Sequence, residues 1–393
     1  MGIGPAISRL LAQVRLHRPR PATEVTTVEL FFDLVFVFTI TQLTGLISHD
    51  TTPRGAGQAL LILALVWWMY DGYVWLTNAV RPDAVAARLV LFGAMVAYLV
   101  LALTVPGAFG ESGVAFAVAY LVVTVLHALL FATTGVYQVV RAILGIAPFN
   151  VASGLLVLLA GFVPGWPRWA LWGAAVLVLL STFALRRNRG FQVQAGHFVE
   201  RHGLLMLIAL GESVVAIGVG ASVAPVTAPL VVALVLGLAV TIGLWWCYFD
   251  RDDERAALEM ERAEETRRAD LALWAFGATH YAMIFGVVLL AAGIREVILH
   301  LGAPGAGASP WLLGAGVGLF LASHAAYRRL LRIGPIGTRL IAAAVALLSS
   351  LVGLATAEAA QLGVLIAVLA AVPLVTRTSD PGQGAQPPAA AAP

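Results

Sequence analysis

The stretch 28-VELFFDLVFVFTITQLTGLIS-48 decides the fold of this chain. Its 21 apolar-rich residues match a helix that crosses a bilayer, which needs about 20 such residues. It also carries two carboxylates, Glu29 and Asp33, one helical turn apart. A charged side chain at mid-membrane costs roughly 2.5–3.5 kcal/mol on insertion scales, so such groups normally face protein or water. The stretch therefore predicts one helix of a larger membrane bundle with a polar interior.

The composition extends this prediction to the whole chain. Of 393 residues, 60% are hydrophobic and 11% are charged, with a mean hydropathy of +0.90. Soluble domains are about 25% charged, and their surface leaves many polar positions to fill. The balance of 24 basic against 21 acidic residues does not indicate a nucleic-acid partner. The single Cys247 excludes an intramolecular disulfide, and no Cys/His metal spacing occurs, so we expect no metal and no cofactor.

The predicted fold class is all-α: a polytopic membrane helical bundle of about 12 transmembrane helices, built as two parallel six-helix repeats. Apolar windows of about 20 residues define the spans. They lie near 27–47, 58–79, 88–106, 113–134, 145–163, 168–186, 200–221, 227–249, 271–293, 310–327, 336–356 and 358–376.

The arginines predict the orientation of these spans. Every basic residue is an arginine, and 21 of the 24 fall in segments on one side; only Arg54, Arg168 and Arg295 fall on the other. Positive residues concentrate in cytoplasmic loops. We therefore expect a multi-pass membrane protein with both termini in the cytoplasm.

Ordered sequence matches predict an internal duplication. Offsets between matched positions grow slowly along the chain, as small loop insertions would produce. The matches are Val28-Glu29 with Val199-Glu200, Trp67-Trp68 with Trp245-Trp246, Phe92-Gly93-Ala94 with Phe276-Gly277-Ala278, and His127-Ala128 with His324-Ala325. Since each half has an even number of spans, both halves insert in the same direction.

These matches give the domain boundaries. We expect a cytoplasmic arm over 1–26, a first six-span repeat over 27–190 and a second over 197–376, with a disordered tail over 377–393. The charged segment 250–270 interrupts the second repeat. Pairs such as Arg255–Glu259 and Glu264–Arg268 sit at i,i+4 and predict a solvated cytoplasmic helix; docking of a soluble partner is the alternative.

Polar residues inside the spans are the candidate functional groups, because each must be satisfied away from water. The candidates for a transport path are Glu29, Asp33, Gln42, Asp71, Asn78, Glu212 and Ser213, and the secondary candidates are His127, Glu200, Arg201, His280 and His324.

Structural alternatives stand beside these roles. Glu29 would cap its helix, and Asp33 would pair with an arginine across the bundle. Glu212, about 18 Å up the helix from Glu200 at 1.5 Å per residue, would make one interhelical hydrogen bond. Glu200 and Arg201 would form a snorkelling salt bridge. The histidines would serve in packing, and Trp67 and Trp68 would belong to an interfacial aromatic belt.

The chain resembles the bacterial low temperature requirement A protein family over nearly its whole length. The matching segments are ELFFDLVFVFTITQL (29–43), WWMYDGYVWLTN (67–78), ERHGLLMLIALGES (200–213) and WWCYFDR (245–251). The resemblance implies a multi-pass bacterial membrane protein linked by name to growth in the cold. It brings no established reaction or substrate.

The first span also resembles, over about a dozen residues, the signature of the endolysosomal potassium channel family. Phe31, Asp33, Val35-Phe36 and Ile40-Thr41 carry the likeness. Phe32 replaces the serine of that signature, and Leu204 stands near the place of an equivalent aspartate in span seven.

Three functional hypotheses follow. The first is transport of an ion, a proton or a small solute through a path lined by the intramembrane carboxylates. The second is a potassium-type cation channel, and the third is a non-transporting stress or scaffold factor that acts through 250–271. We do not expect an enzyme, because no nucleophile elbow, phosphate loop or HExxH motif is present. The lipid bilayer is the expected partner, and homo-oligomerisation is left open.

Overall fold

A computed structural model describes residues 25–79, 85–133, 137–185, 193–222, 225–301 and 307–378. Within these ranges every regular element is helical. The first half contains α1 (Thr27–His49), α2 (Pro53–Ala79), α3 (Val85–Thr104), α4 (Gly113–Thr133), α5 (Tyr137–Phe162) and α6 (Trp166–Ala184). The second contains α7 (Ala195–Ala221), α8 (Ala228–Phe249), α9 (Asp252–Arg262), α10 (Glu265–Leu271), α11 (Thr279–Leu299), α12 (Ser309–Leu331), α13 (Gly337–Ala355) and α14 (Glu358–Thr378).

The twelve predicted spans correspond one to one to the twelve long helices of the described ranges. Ten of these helices, three of them counted together with the short elements beside them, are long and apolar enough to cross a membrane. The other two are α6 and α12. Helix α12 contains three glycines, two serines and one histidine and has two arginines in its last turn, which lowers its apolar content. The N-terminal arm up to residue 24 and the tail from residue 379 lie outside the described residues.

Helices in the two halves pack in the same order. In the first half α1 contacts α2 and α3, and α3, α4, α5 and α6 pack consecutively, with α2 against α4 and α6. In the second half α7 contacts α8 and α11, and α11, α12, α13 and α14 pack consecutively, with α8 against α12 and α14.

Helices α1 and α7 form a seam between the halves and run parallel. Glu29 of α1 contacts Arg201 of α7, and twelve residues further along α1, Thr41 contacts Glu212. The offset between partners is 172 residues at the first contact and 171 at the second. An antiparallel pair would change its offset along the helix, so both helices cross in the same direction.

Helix α11 lies at the centre of the bundle, packed against α1, α2, α7, α8 and α12. Its approach to α12 requires glycine. A Cβ on Gly286 would lie 2.7 Å from the Gly316 carbonyl oxygen, and one on Gly316 would lie 2.6 Å from the Leu290 amide. Small residues at helix interfaces allow this close packing in membranes.

The charged segment after α8 differs from the single solvated helix that the i,i+4 pairs predict. It forms two helices, α9 and α10, which break at Ala263 and Glu264. Asp252, Ala256 and Met260 of α9 are buried against the bundle. Arg268 donates to the carbonyl oxygens of Met260, Glu261 and Ala263, which end α9. One face of α9 is therefore docked on the bundle, whereas the residues of α10 other than Leu271 are exposed or half-buried.

Candidate functional site

A buried network joins the first two turns of α1 and α7 at the near end of the bundle, where α1 begins and α2 ends. The guanidinium of Arg201 bridges both carboxylates: Nη1 lies 3.1 Å from Glu29 Oε1 and Nη2 lies 2.9 Å from Asp33 Oδ1. All three side chains are at most 1% exposed. Breaking a buried pair by removing one partner costs about 3–5 kcal/mol, so these charges depend on one another.

Side chains from α2 complete this carboxylate–arginine network. The Tyr70 hydroxyl donates to Asp33 Oδ1 at 2.7 Å, and Arg201 donates to the Thr77 hydroxyl. His197 Nε2 lies 3.2 Å from Glu29 Oε1, and its Nδ1 is 3.0 Å from the Asn78 amide nitrogen. Three helices thus converge on one arginine.

The contacts of Glu29 and Asp33 are those of the structural alternatives given for them, a helix cap and a pair with an arginine. Glu29 caps α1, because its carboxylate accepts from the Thr26 amide and hydroxyl, both at 2.8 Å. Asp33 pairs with an arginine across the bundle. The snorkelling interpretation of Arg201 is wrong, since its side chain is buried and reaches α1, whereas Glu200 is exposed. Arg201 lies near the start of α7, and this position was compatible both with a snorkelling side chain and with a buried one.

A second polar group lies deeper in the same seam. Glu212 is 2% exposed, and its Oε2 accepts a 2.6 Å hydrogen bond from the Thr41 hydroxyl. Ser213 beside it is fully buried, with no hydrogen-bond partner for its hydroxyl among the described residues. The Arg295 guanidinium of α11 lies within electrostatic reach of Glu212. Gln42, the neighbour of Thr41, is only partly buried and joins neither group.

An apolar layer separates the two groups. Asp33 and Thr41 are eight residues apart, which is about 12 Å along a helix. On the same helical faces stand Val37 of α1 and Leu205 and Ala209 of α7, of which the last two are fully buried. The side chains between the two polar groups on these helical faces are therefore apolar.

Asp71 and the tryptophans of α2 point elsewhere. Trp67 is buried and its indole donates to the Gly277 carbonyl at 2.9 Å, while the Trp68 indole donates to Asn150 at 2.9 Å. The belt interpretation is therefore wrong for both, because their indole N–H groups bond inside the bundle. Asp71 accepts from the Trp75 indole at 3.1 Å and lies 3.6 Å from His202 Nε2.

A comparable buried network lies between α9, α12 and α13 in the second half. Arg328 donates to both oxygens of Asp252, and Arg339 Nη2 lies 3.4 Å from Oδ2. His324 Nε2 is 3.2 Å from the same oxygen, and Arg339 Nε donates to His324 Nδ1 at 3.2 Å. His280 is bonded apart from it, to the Tyr248 hydroxyl at 2.8 Å.

The sequence did not point to Asp252, Arg328 or Arg339 as buried groups. Asp252 lies in a strongly charged segment and the two arginines at span ends, where solvated residues are common. One signal was present: Asp252, Ala256 and Met260 are spaced four apart, the spacing of a helix face that packs. Among the described residues, no group of three or more His, Cys, Asp or Glu side chains is placed to hold a metal ion.

The chain matches a family model described as bacterial low temperature requirement A protein over residues 24–374. The chain belongs to this family. The matched range includes both networks and the Thr41–Glu212 pair. The chain is also similar to an uncharacterized protein of Rhizobium meliloti (strain 1021), at 28% identity over 291 residues, which are 71% of this chain and 70% of that protein.

Proposed function

We propose that the chain is a membrane transport protein that moves a proton, alone or with a small solute, along the seam between α1 and α7. The observation that carries the proposal is the pair of buried polar groups on these parallel helices, separated by apolar side chains. Ionisable residues inside membrane spans commonly mark substrate and proton pathways. The separation corresponds to a closed state with one site at each end of the barrier.

The two groups have different parts in this proposal. Arg201 holds Glu29 and Asp33 at the near end, where release of either carboxylate opens a site for a proton or cation. Glu212 is the deep site, and a proton on its carboxylate would cancel the charge that the Thr41 hydroxyl now stabilises. Movement of α1 against α7 would connect the sites by displacing the apolar layer.

We also propose that the two halves are six-helix repeats related by an axis along the membrane normal, as in many transporters. The matching order of helix contacts in the halves supports this. So does the seam: with the 171-residue offset of the sequence matches, Thr41 and Glu212 are equivalent positions, and they touch.

The proposed location is the bacterial inner membrane, with the near end of the bundle in the cytoplasm. The arginine distribution supports this orientation. The near end carries Arg201, Arg328 and Arg339, whereas Arg295 lies toward the opposite end of α11.

No observation in the structure favours either of the two alternative hypotheses. The potassium-type channel rests on Asp33, which is ion-paired with Arg201 and hydrogen-bonded to Tyr70. The scaffold hypothesis acts through segment 250–271, whose helix α9 is docked by one face through Asp252, and no observation identifies a partner for its exposed face.

Proton flux into liposomes tests the proposal. Purified full-length protein is reconstituted with an internal pH dye, and an imposed pH gradient with valinomycin and potassium drives protons. We expect faster collapse of the gradient than in protein-free liposomes and at least a tenfold loss of this flux in Glu212→Gln, because the amide cannot bind the transported proton.

The matched control is Glu200→Gln, on the same helix but exposed. It should retain wild-type flux. A wild-type rate equal to that of empty liposomes would overturn transport of the proton alone. Wild-type flux in Glu212→Gln would remove the deep site from the mechanism.

A further inference from the structure

A groove with a volume of about 330 Å³ lies between α7 and α9 at the near end of the bundle. Its apolar walls are Leu204 and Leu207 of α7, Phe249 at the end of α8, and Ala257 of α9. At 3.6 residues per turn, Leu207 lies about 120° around α7 from Arg201. The groove is therefore separate from the α1–α7 seam.

The described residues leave this groove open. Leu207 is 47% exposed, and a Cβ on Gly196 at its edge would meet no other atom within 4 Å. A Cβ on Gly203 would only reach van der Waals contact, 3.7 Å from Phe249 Cε1. The α7 wall thus has room for side chains of another segment, and covering its leucines would remove apolar surface from water.

Carboxylates surround the groove on both sides: Glu200 on α7, and Asp253 and Glu254 on α9. Among the described residues, no salt bridge pairs any of the three with a cation; the ion pairs of their neighbours are made by Arg201, Asp252 and Glu259. Complementary charge favours a cationic partner at such a surface and disfavours an anionic lipid headgroup.

The N-terminal arm has the sequence of such a partner. Apolar residues recur at the i, i+3, i+4, i+7 spacing of one helix face, at Ile7, Leu10, Leu11 and Val14. Residues 1–23 contain no acidic residue, and their basic residues are Arg9, Arg15, Arg18 and Arg20. Pro5 and Pro19 flank this stretch, as is common at the first turn of a helix and just beyond its end. The arm is therefore both basic and amphipathic.

The arm leaves the bundle beside the groove. It joins α1 at Thr27, and Glu29 of that first turn lies 3.2 Å from His197, the neighbour of Gly196. The seven residues 18–24 can span up to about 23–25 Å. This is about twice the width of a helix, roughly 10–12 Å, so they can carry the amphipathic stretch around α7.

The other undescribed segments at this end fit the groove less well. The tail 379–393 contains no basic residue. The loop 186–192 contains three arginines, but Phe191 is its one large apolar residue, so it has no apolar face.

We propose that the N-terminal arm docks in the groove between α7 and α9, with the apolar face formed by Ile7, Leu10, Leu11 and Val14 against its walls. The arginines of the arm then lie beside Glu200, Asp253 and Glu254, and the arm joins α9 to α7 from outside. The proposal does not depend on transport along the seam, because docking is measured without a membrane gradient.

Disulfide cross-linking of full-length protein tests the docking, in phosphatidylcholine liposomes and in a Cys247→Ala background. Leu11→Cys is combined with Ala257→Cys in the groove, and copper phenanthroline is the oxidant. We expect this pair to cross-link at least tenfold faster than Leu11→Cys with Leu258→Cys, as measured by mass spectrometry of the peptides. Leu258 is exposed and outside the groove, so random collision would favour the second pair instead.

Removal of charge gives a second measurement. Asp253→Asn with Glu254→Gln should slow the Leu11–Ala257 cross-link at least tenfold, whereas Glu261→Gln, exposed on α9 and outside the groove, should not. Arg9→Gln with Arg15→Gln should slow it similarly, and these two substitutions lie in the arm, so they leave the described helices unaltered.

Three results would overturn the proposal. The first is equal or faster cross-linking of the Leu258 pair, and the second is an unchanged rate in both charge variants. The third is loss of the Leu11–Ala257 cross-link in liposomes that contain phosphatidylglycerol, which would assign the arm to the anionic lipid surface, the other usual site of a basic amphipathic segment.

Discussion

Arg201 shows how much of the near end depends on one side chain. It contacts two carboxylates and one hydroxyl from two other helices, and it is 1% exposed. Replacing every charge of such a buried cluster by apolar residues is often tolerated, whereas removing only one charge strongly destabilises the protein.

Arg201→Met is therefore expected to lower the free energy of unfolding by about 3–5 kcal/mol, because it leaves Glu29 and Asp33 buried without their cation. The apparent melting temperature in detergent measures the loss. Combining it with Glu29→Gln and Asp33→Asn should restore most of the stability. The exposed Arg329→Met is the control, and a melting temperature for Arg201→Met equal to that control would contradict the prediction.

The sequence identifies a candidate residue where the free-energy cost of burying its charge in a membrane span is enough to single it out. Glu29, Asp33 and Glu212 stand out because a membrane span tolerates few carboxylates. Their partners were not predictable, since Arg201 and Asp33 are 168 residues apart and meet only through the packing of α1 on α7. Sequence spacing carries no information about such a contact.

Among the elements, α9 is the helix whose observed position differs most from the prediction made from the sequence. Hydropathy is a local property, so each long helix was predicted at its place in the chain, with some ends, such as the start of α5 at Tyr137, about two turns from the predicted bound. The docking of α9 depends on Arg328 and Arg339, which lie far away in the chain.

Asp252→Asn should release the start of α9, because Arg328 and Arg339 then face each other without a carboxylate between them. Hydrogen–deuterium exchange of the purified protein measures the effect, and we expect at least tenfold faster exchange over 252–262. Glu261→Gln, exposed on the same helix, should leave exchange as in the wild type. Unchanged protection in Asp252→Asn would show that apolar packing of Ala256 and Met260 holds α9 by itself.

For the whole molecule, the parallel course of α1 and α7 agrees with the even number of spans predicted for each half. This direction was predictable from the sequence, because the side on which each loop lies follows from the number of spans before it and from the distribution of the arginines. The sequence could not show which helix occupies the centre, because the close approach of α11 to α12 depends on Gly286 and Gly316 meeting in space.

Cysteine labelling in intact bacterial cells tests the orientation. Cys247 is 1% exposed and should give little background with a membrane-impermeant maleimide. His300→Cys, at the end of α11 opposite the near end, should label from outside once the reagent has passed the outer membrane. Glu261→Cys should label only after the inner membrane is disrupted. The reverse pattern would invert the proposed topology.

The contact between Thr41 and Glu212 has an evolutionary consequence under the proposed duplication. An ancestral homodimer with the same two-fold axis would place identical side chains opposite each other at this point. Two glutamates there would repel, and two threonines would lack a carboxylate. Under this proposal, fusion of two gene copies would have allowed the positions to diverge, so that one became the donor and the other the acceptor. A deep acidic group satisfied by a neutral neighbour is an arrangement that a symmetric pair of chains could not have made.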